Sequence, residues 1–180
     1  MRIRTRVAAL TAATAMTVGG AALAAPIATA AEPTGKAKGY TSVVLDGDAA
    51  AAILGPLGGG LLTPGAIDLG AGSVGFPIVG NSKGGVIKHV GGLSFSGANT
   101  VEIRNFYIDT NKLGPDGGAL SAQVFVNGES LGRAPVFNVS GSLEVTLTDF
   151  AADALSALVL DSPGAIPGGF LIGEASVNAR

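Results

Sequence analysis

The 180-residue sequence lacks several residue types on which common protein chemistry depends. It has no cysteine and no tryptophan, one histidine, two methionines and two tyrosines. Without cysteine, a disulfide scaffold, an iron–sulfur cluster, a cysteine nucleophile and every cysteine-based zinc site are excluded. Charged residues make up 13%, about half the usual ~25% of a soluble protein. The 29 glycines follow no three-residue period, which excludes collagen, and a hydrophobic share of 47% argues against disorder.

The first thirty residues have the pattern of an export signal. A basic start is formed by Arg2, Arg4 and Arg6, and residues 7–25 carry no charge. Residues 28–30 then have the small-x-small spacing that signal peptidase accepts, which predicts cleavage after Ala30. A cut after Ala24 and a retained membrane anchor are the alternatives. We expect a signal peptide (1–30), a flexible lead-in (31–39) and a single domain (40–180) that is secreted, extracellular or associated with the cell wall.

Cleavage after Ala30 makes the chain acidic. It removes three of the eleven basic residues and none of the thirteen acidic ones, which leaves eight against thirteen and a formal charge of −5. Without a basic run, the chain offers no surface for nucleic acid or anionic lipid. No second apolar segment is long enough to span a membrane. We therefore expect no nucleic-acid partner, no membrane span after cleavage, and an envelope or extracellular partner that the sequence does not identify.

Short runs of alternating apolar and polar residues dominate the rest of the chain and are typical of antiparallel β-structure. The predicted strands are 40–45, 73–79, 86–96, 100–110, 119–126, 134–139, 142–148 and 170–177. Asn127 and Gly128 predict a two-residue hairpin turn, because a type I′ turn needs positive φ at both central positions. The expected fold is mainly β, an antiparallel β-sandwich of about eight strands with two short helices.

Capping residues place the two helices. The first covers 49–54 and the second 150–159, with Asp46 or Asp48 and Thr148 or Asp149 as the respective caps. These helices belong to a weak internal repeat, in which residues 43–53 align without gaps on residues 145–155. Pro-Gly-Ala-Ile follows downstream in both copies. Two copies are too few for a solenoid, so we expect one unit at each end of the domain.

Strand periodicity predicts where the chemically interesting side chains point. In 86–96 the more apolar face carries Ile87, His89, Leu93 and Phe95, so the only histidine should point inward. In 100–110 the apolar phase shifts after Ile103. This shift predicts a β-bulge near Arg104 and Asn105 and leaves the direction of Tyr107 open.

Three motif matches lack the context that their chemistry requires. Residues 70–75 match G-x-G-x-x-G, but a strand follows where a dinucleotide site needs a helix. Residues 80–84 match the G-x-S-x-G nucleophile elbow without its strand–turn–helix, so a secreted hydrolase built on Ser82 and His89 is the weakest hypothesis. No carboxylate completes a calcium loop after Asp46 and Asp48. We predict no enzyme, no catalytic residue and no metal site.

A haem site would draw on very few residues. Because both methionines precede Ala30, haem iron could be held only by His89, Tyr40 or Tyr107, with lysine a distant fourth. The same residues have ordinary structural interpretations: a buried histidine bonded to backbone, and tyrosines of a sheet. Both interpretations stay open. The sequence requires no cofactor, and haem is the one that these residues could hold.

Three segments carry a resemblance to known proteins. Residues 85–95, 101–109 and 147–155, together with the Ala-rich leader, resemble uncharacterised secreted actinobacterial β-proteins. Residues 84–155 are also distantly similar to the HtaA-type haem-uptake domain, a secreted or wall-anchored β-sandwich.

The similarity to the HtaA-type domain lies in one motif. That domain has His-x-Gly-x-Leu in one strand, which His89, Gly91 and Leu93 match, and a second strand that ends in an acidic residue. The resemblance implies haem binding through a tyrosine near the N-terminus, supported by the histidine. The family's N-terminal Trp-Gly and aromatic helix are absent here, where Tyr40 and an Ala-rich helix stand instead.

The sequence favours an exported, non-catalytic β-sandwich domain of the cell envelope or extracellular space that serves as a binding or surface module. The alternative is binding of haem or a small apolar ligand in haem uptake, with His89, Tyr107 and Tyr40 as the candidate ligand-binding residues.

Overall fold

The computed structural model of the protein describes residues 39–62, 65–82 and 84–179. The predicted signal peptide, the cleavage site at Ala30 and residues 31–38 of the predicted lead-in lie outside the described residues.

Eleven strands in this part of the chain form one antiparallel sheet. They are β1 (Gly39–Leu45), β2 (Gly60–Leu62), β3 (Ile67–Gly70), β4 (Ser73–Ser82), β5 (Val86–His89), β6 (Gly92–Ser96), β7 (Thr100–Asp109), β8 (Leu120–Val126), β9 (Glu129–Val139), β10 (Glu144–Leu147) and β11 (Leu171–Ala179). The helical elements are α1 (Gly47–Leu54), a 3₁₀ turn (Thr110–Lys112), α2 (Asp149–Ala154) and a π-helical turn (Leu155–Val159).

The sheet closes on itself into an eight-stranded barrel. Neighbouring strands follow the order β1-β4-β5-β7-β8-β9-β10-β11, and β11 pairs with β1 again. β6 continues the wall beside β7, β2 extends β6, and β3 pairs with β4. The mainly antiparallel fold with two short helices is confirmed, but the sandwich prediction is wrong. Sandwiches and barrels share the same two-residue alternation, so the pattern could not show closure.

The predicted bulge and hairpin turn are both present. The register of β7 against β8 shifts between Arg104 and Tyr107, and Asn105 has φ 54°, a conformation that asparagine tolerates. Its Nδ2 donates a hydrogen bond of 2.8 Å to Oε1 of Gln123. In the β8–β9 turn, Asn127 and Gly128 have φ 51° and 85°, as a type I′ turn requires.

One predicted strand, 86–96, is two strands in the structure. Gly91 interrupts it with φ +90°, and a Cβ at this position would collide with the backbone of Gly65 and Ala66. The close approach of that neighbouring segment explains why the chain bends here. His89 and Phe95 nevertheless both point inward, as predicted.

Both helices pack over the barrel and start at side-chain caps. Asp46 Oδ1 accepts from the amide of Asp48 (2.9 Å), and Thr148 Oγ1 accepts from the amide of Ala151 (3.2 Å). α1 buries Ala49 and Ile53, and α2 buries Ala151 and Ala152. None of the helices in the described residues has the length and apolar character needed to cross a membrane.

Candidate functional site

His89 lies in the interior of the barrel, where 2% of its surface is exposed. Its Nδ1 is 3.3 Å from the carbonyl oxygen of Phe106, and its Nε2 is 2.8 Å from Oγ1 of Thr41. Because a carbonyl only accepts, this geometry assigns the ring proton to Nδ1, and Nε2 accepts from the Thr41 hydroxyl. Both ring nitrogens therefore have partners from within the barrel.

The surroundings of His89 favour a neutral imidazole. Burial lowers the pKa of His89 below its ordinary 6.5, while the hydrogen bond to the Phe106 carbonyl acts in the opposite direction. A small cavity of about 40 Å³ lies beside the ring, and all eight barrel strands contribute to its wall. Its described wall residues are apolar apart from His89 and Thr41. This space corresponds to about one water molecule at ~30 Å³, far less than a haem requires.

The two tyrosines lie on the outer face of the barrel wall. In β1, Thr41 and Val43 point inward, so the half-buried Tyr40 points outward. In β7 the bulge directs Phe106 inward and Tyr107 outward. The structure therefore does not bring His89, Tyr40 and Tyr107 together, since the wall separates the histidine from both phenols.

Tyr107 is covered by cations. The guanidinium of Arg133 lies 3.7 Å from the centroid of its ring, and Nζ of Lys88 lies 5.2 Å away. Arg133 also donates hydrogen bonds of 3.0 and 3.1 Å to the carbonyls of Asn105 and Ser121. This arrangement fixes Arg133 against the outer wall.

The nucleophile proposed from the G-x-S-x-G match is only partly placed. Ser82 ends β4, and its backbone pairs with Val86 of β5. Its side chain lies outside what the structure describes, so the contact with His89 that the hydrolase hypothesis needs stays a prediction.

A larger apolar cavity of about 220 Å³ lies between α1, α2 and the barrel. Every described residue that lines it has an apolar side chain, from Ile53 in α1 through Ile103 and Phe137 in the barrel to Leu160 and Ile166 beyond α2. Ala52, Ala151 and Ala154 of the helices also line it, and their small side chains leave the space that longer ones would fill. Sequence analysis missed this cavity. The sequence feature that relates to it is the high alanine content of the two helices.

An open cleft of about 890 Å³ meets this cavity at Phe150 of α2, which lines both and is 49% exposed. Its charged lining consists of Asp109, Lys112, Asp116, Arg133 and Asp149, and Tyr107, Asn138 and Thr148 add neutral polar groups. Nζ of Lys112 lies 3.9 Å from Oδ2 of Asp109. Among the described residues of the cleft, three acidic groups therefore face two basic ones.

Metal-binding side chains are not clustered in the described ranges. Within residues 39–62, 65–82 and 84–179, no group of three or more His, Asp or Glu residues could hold a metal ion.

Comparison with known proteins gives one structural match. Neither a protein-family model nor a curated protein matches the sequence. The crystal structure of the haem-binding protein HtaB from Corynebacterium glutamicum superimposes with a TM-score of 0.50 at 15% identity, covering 78% of this chain and 91% of HtaB. This chain shares the fold of HtaB. The match agrees with the distant haem-uptake resemblance drawn from residues 84–155, and at this identity it concerns the fold alone.

Proposed function

We propose that this protein is an exported, non-catalytic binding module of the cell envelope or extracellular space, and that the 220 Å³ apolar cavity is its ligand site. The cavity is the observation that carries the proposal. The export pattern of residues 1–30 supports the location.

The energetics of packing favour a ligand in this cavity. At ~24 cal/mol per Å³, the value for enclosed cavities, 220 Å³ left unfilled costs at most about 5 kcal/mol, and less where the rim at Phe150 is open to solvent. Such a cost is comparable to the total stability of many domains, about 5–15 kcal/mol. A ligand that fills the space recovers part of this cost, and binding to the folded state alone stabilises that state. Apolar cavities of ~150 Å³ are large enough to bind benzene or xenon.

A thermal-shift titration with toluene tests the proposal. At a free concentration of ~100 times its Kd, a ligand stabilises the folded state by about 2.7 kcal/mol, so Tm should rise by several degrees. Ala154→Leu, which fills the cavity from α2, should remove the toluene response while raising the Tm without toluene. Leu131→Ala is the matched control, because Leu131 is 61% exposed on β9 and lines neither space. A wild-type Tm that toluene does not move would refute the proposal.

Haem is the second candidate ligand, supported by the family resemblance and by the shared fold with a haem-binding protein. The residues fit it at one place. The cavity beside His89 is too small for haem, and none of the described wall residues of the apolar cavity could ligate iron, whereas Tyr107 borders the 890 Å³ cleft. Tyr107 would hold the iron through its phenolate, and haem would supply the iron centre for uptake or transfer.

A haemin titration decides this candidate. The wild-type protein should shift the Soret band, Tyr107→Phe should abolish the shift, and Tyr40→Phe should retain it. Loss of the shift in Tyr40→Phe alone would transfer the role to Tyr40. An unshifted spectrum with the wild-type protein would end the haem hypothesis.

A further inference from the structure

Phe150 stands where the apolar cavity and the polar cleft meet. It lies in the first turn of α2, lines both spaces and keeps about half of its surface exposed. The segment 167–170 borders the same two spaces: Pro167 and Phe170 line the cavity, while Gly168 and Gly169 line the cleft. A Cβ at Gly168 would collide with Asp149, so this segment packs directly against the first turn of α2.

We propose that the ligand is a single-chain amphiphile with a hydroxyl head, whose hydrocarbon part fills the apolar cavity while its head lies in the cleft, and that it enters by displacing Phe150. The inference rests on the proposed function of the cavity and specifies the ligand class of that site.

The cavity determines the hydrocarbon part. A volume of 220 Å³ accommodates roughly seven carbon atoms at ~30 Å³ each, the share of a water molecule in the liquid. Because every described residue of the wall has an apolar side chain, a buried polar head would lose its hydrogen bonds to water without replacement. The head must therefore lie outside the cavity, and the cleft beyond Phe150 is the polar space next to it.

The charges of the cleft determine the head. Asp149 is adjacent to Phe150 in the chain, and Asp116 lines the same cleft. Among the described residues of the cleft, Lys112 lies beside Asp109, and Arg133 stacks on Tyr107 and donates to two backbone carbonyls. A carboxylate head would be repelled by Asp149, whereas a hydroxyl can donate a hydrogen bond to it.

Calorimetric titration of the secreted protein with 1-octanol, octanoate and toluene tests the inference. One unfavourable charge contact costs about tenfold in affinity, so 1-octanol should bind at least about tenfold more tightly than octanoate. Asp149→Asn should narrow this ratio by strengthening octanoate binding. Equal binding of the two amphiphiles, or an unchanged ratio in Asp149→Asn, would overturn the assignment of the head.

Stopped-flow measurement of 1-octanol association tests the proposed entry route past Phe150. Phe150→Ala should raise the association rate of 1-octanol about tenfold and Phe150→Trp should lower it, because a conformational step limits association. Leu131→Ala should leave the association rate unchanged. The proposed route is wrong if Phe150→Ala and Phe150→Trp also leave it unchanged. If toluene binds but the hydroxyl of 1-octanol adds nothing to its affinity, this inference fails while the proposed function stands. If neither binds, the proposed function fails as well.

Discussion

His89 is the one titratable side chain in the described wall of the 40 Å³ cavity inside the barrel. A polar group in so apolar a space is tolerated only when it is hydrogen-bonded, and Thr41 and the Phe106 carbonyl together satisfy both nitrogens. The sequence predicted the inward direction of His89 from strand periodicity. It could not predict the partners, because Thr41 is 48 residues away and meets His89 only once β1 and β5 pair with the two sides of β4.

The lowered pKa of His89 makes stability depend on pH. Unfolding restores the ordinary pKa of 6.5, so the unfolded state binds the proton more readily than the folded state. The contribution of His89 to stability is fully present above pH 6.5 and is lost as the pH falls from 6.5 through the lowered pKa of the folded state. The urea midpoint of the wild-type protein should therefore be lower at pH 5 than at pH 7.5.

The double variant Thr41→Val/His89→Leu is the control for this dependence. It removes both partners of the hydrogen bond, so no unpaired hydroxyl or ring nitrogen is left inside the barrel. Carboxylates titrate in both proteins, and only the difference between them belongs to His89. Identical pH dependence in the two proteins would contradict the account of the buried imidazole.

At the scale of elements, the helix caps and the β7 bulge followed from local chemistry. Asp46 and Thr148 accept from backbone amides two and three residues further along, so the candidate caps could be predicted from the sequence. The bulge was predicted from the phase of the apolar residues within β7, but the partner of Asn105, Gln123 of β8, was not. The short strands β2 and β3 were missed because three or four residues carry too little periodicity. The internal repeat stays a prediction, but the expected placement of one unit at each end of the domain is wrong, because α1 and α2 line the same cavity. The repeated Pro-Gly-Ala-Ile segments also differ in burial: Ala66 and Ile166 are buried, whereas their counterparts Ala165 and Ile67 are exposed.

The hydroxyl of Thr148 caps the start of α2, and its removal should lower stability. Its Oγ1 accepts from the amide of Ala151 and donates to the carbonyl of Pro135 (3.0 Å), joining α2 to β9. Thr148→Ala should lower the free energy of unfolding by about 1–2 kcal/mol in chemical denaturation. Thr148→Ser keeps the hydroxyl and should lose at most ~0.5 kcal/mol. An equal loss in both variants would show that the hydroxyl is not what stabilises this helix start.

At the scale of the whole molecule, closure of the sheet into a barrel formed an interior that the sequence could not predict. Alternation predicted which residues point inward. The inward faces enclose one interior only because the ladders between all eight strands, β11–β1 and β7–β8 among them, form a closed ring. The β7 bulge directs Tyr107 to the outer face of the barrel, while His89 lies in its interior. Composition alone had grouped these two residues as candidate haem ligands. The apolar cavity arises because alanine-rich helices cover this interior incompletely.

The most direct test of the central claim is the crystal structure of the protein under xenon pressure. Xenon binds apolar cavities of this size, so electron density should appear between α1, α2 and the barrel, beside Ile53, Phe137 and Ala154. In Ala154→Leu the same density should be lost. A wild-type crystal in which side chains close this space and no xenon enters it would contradict the account.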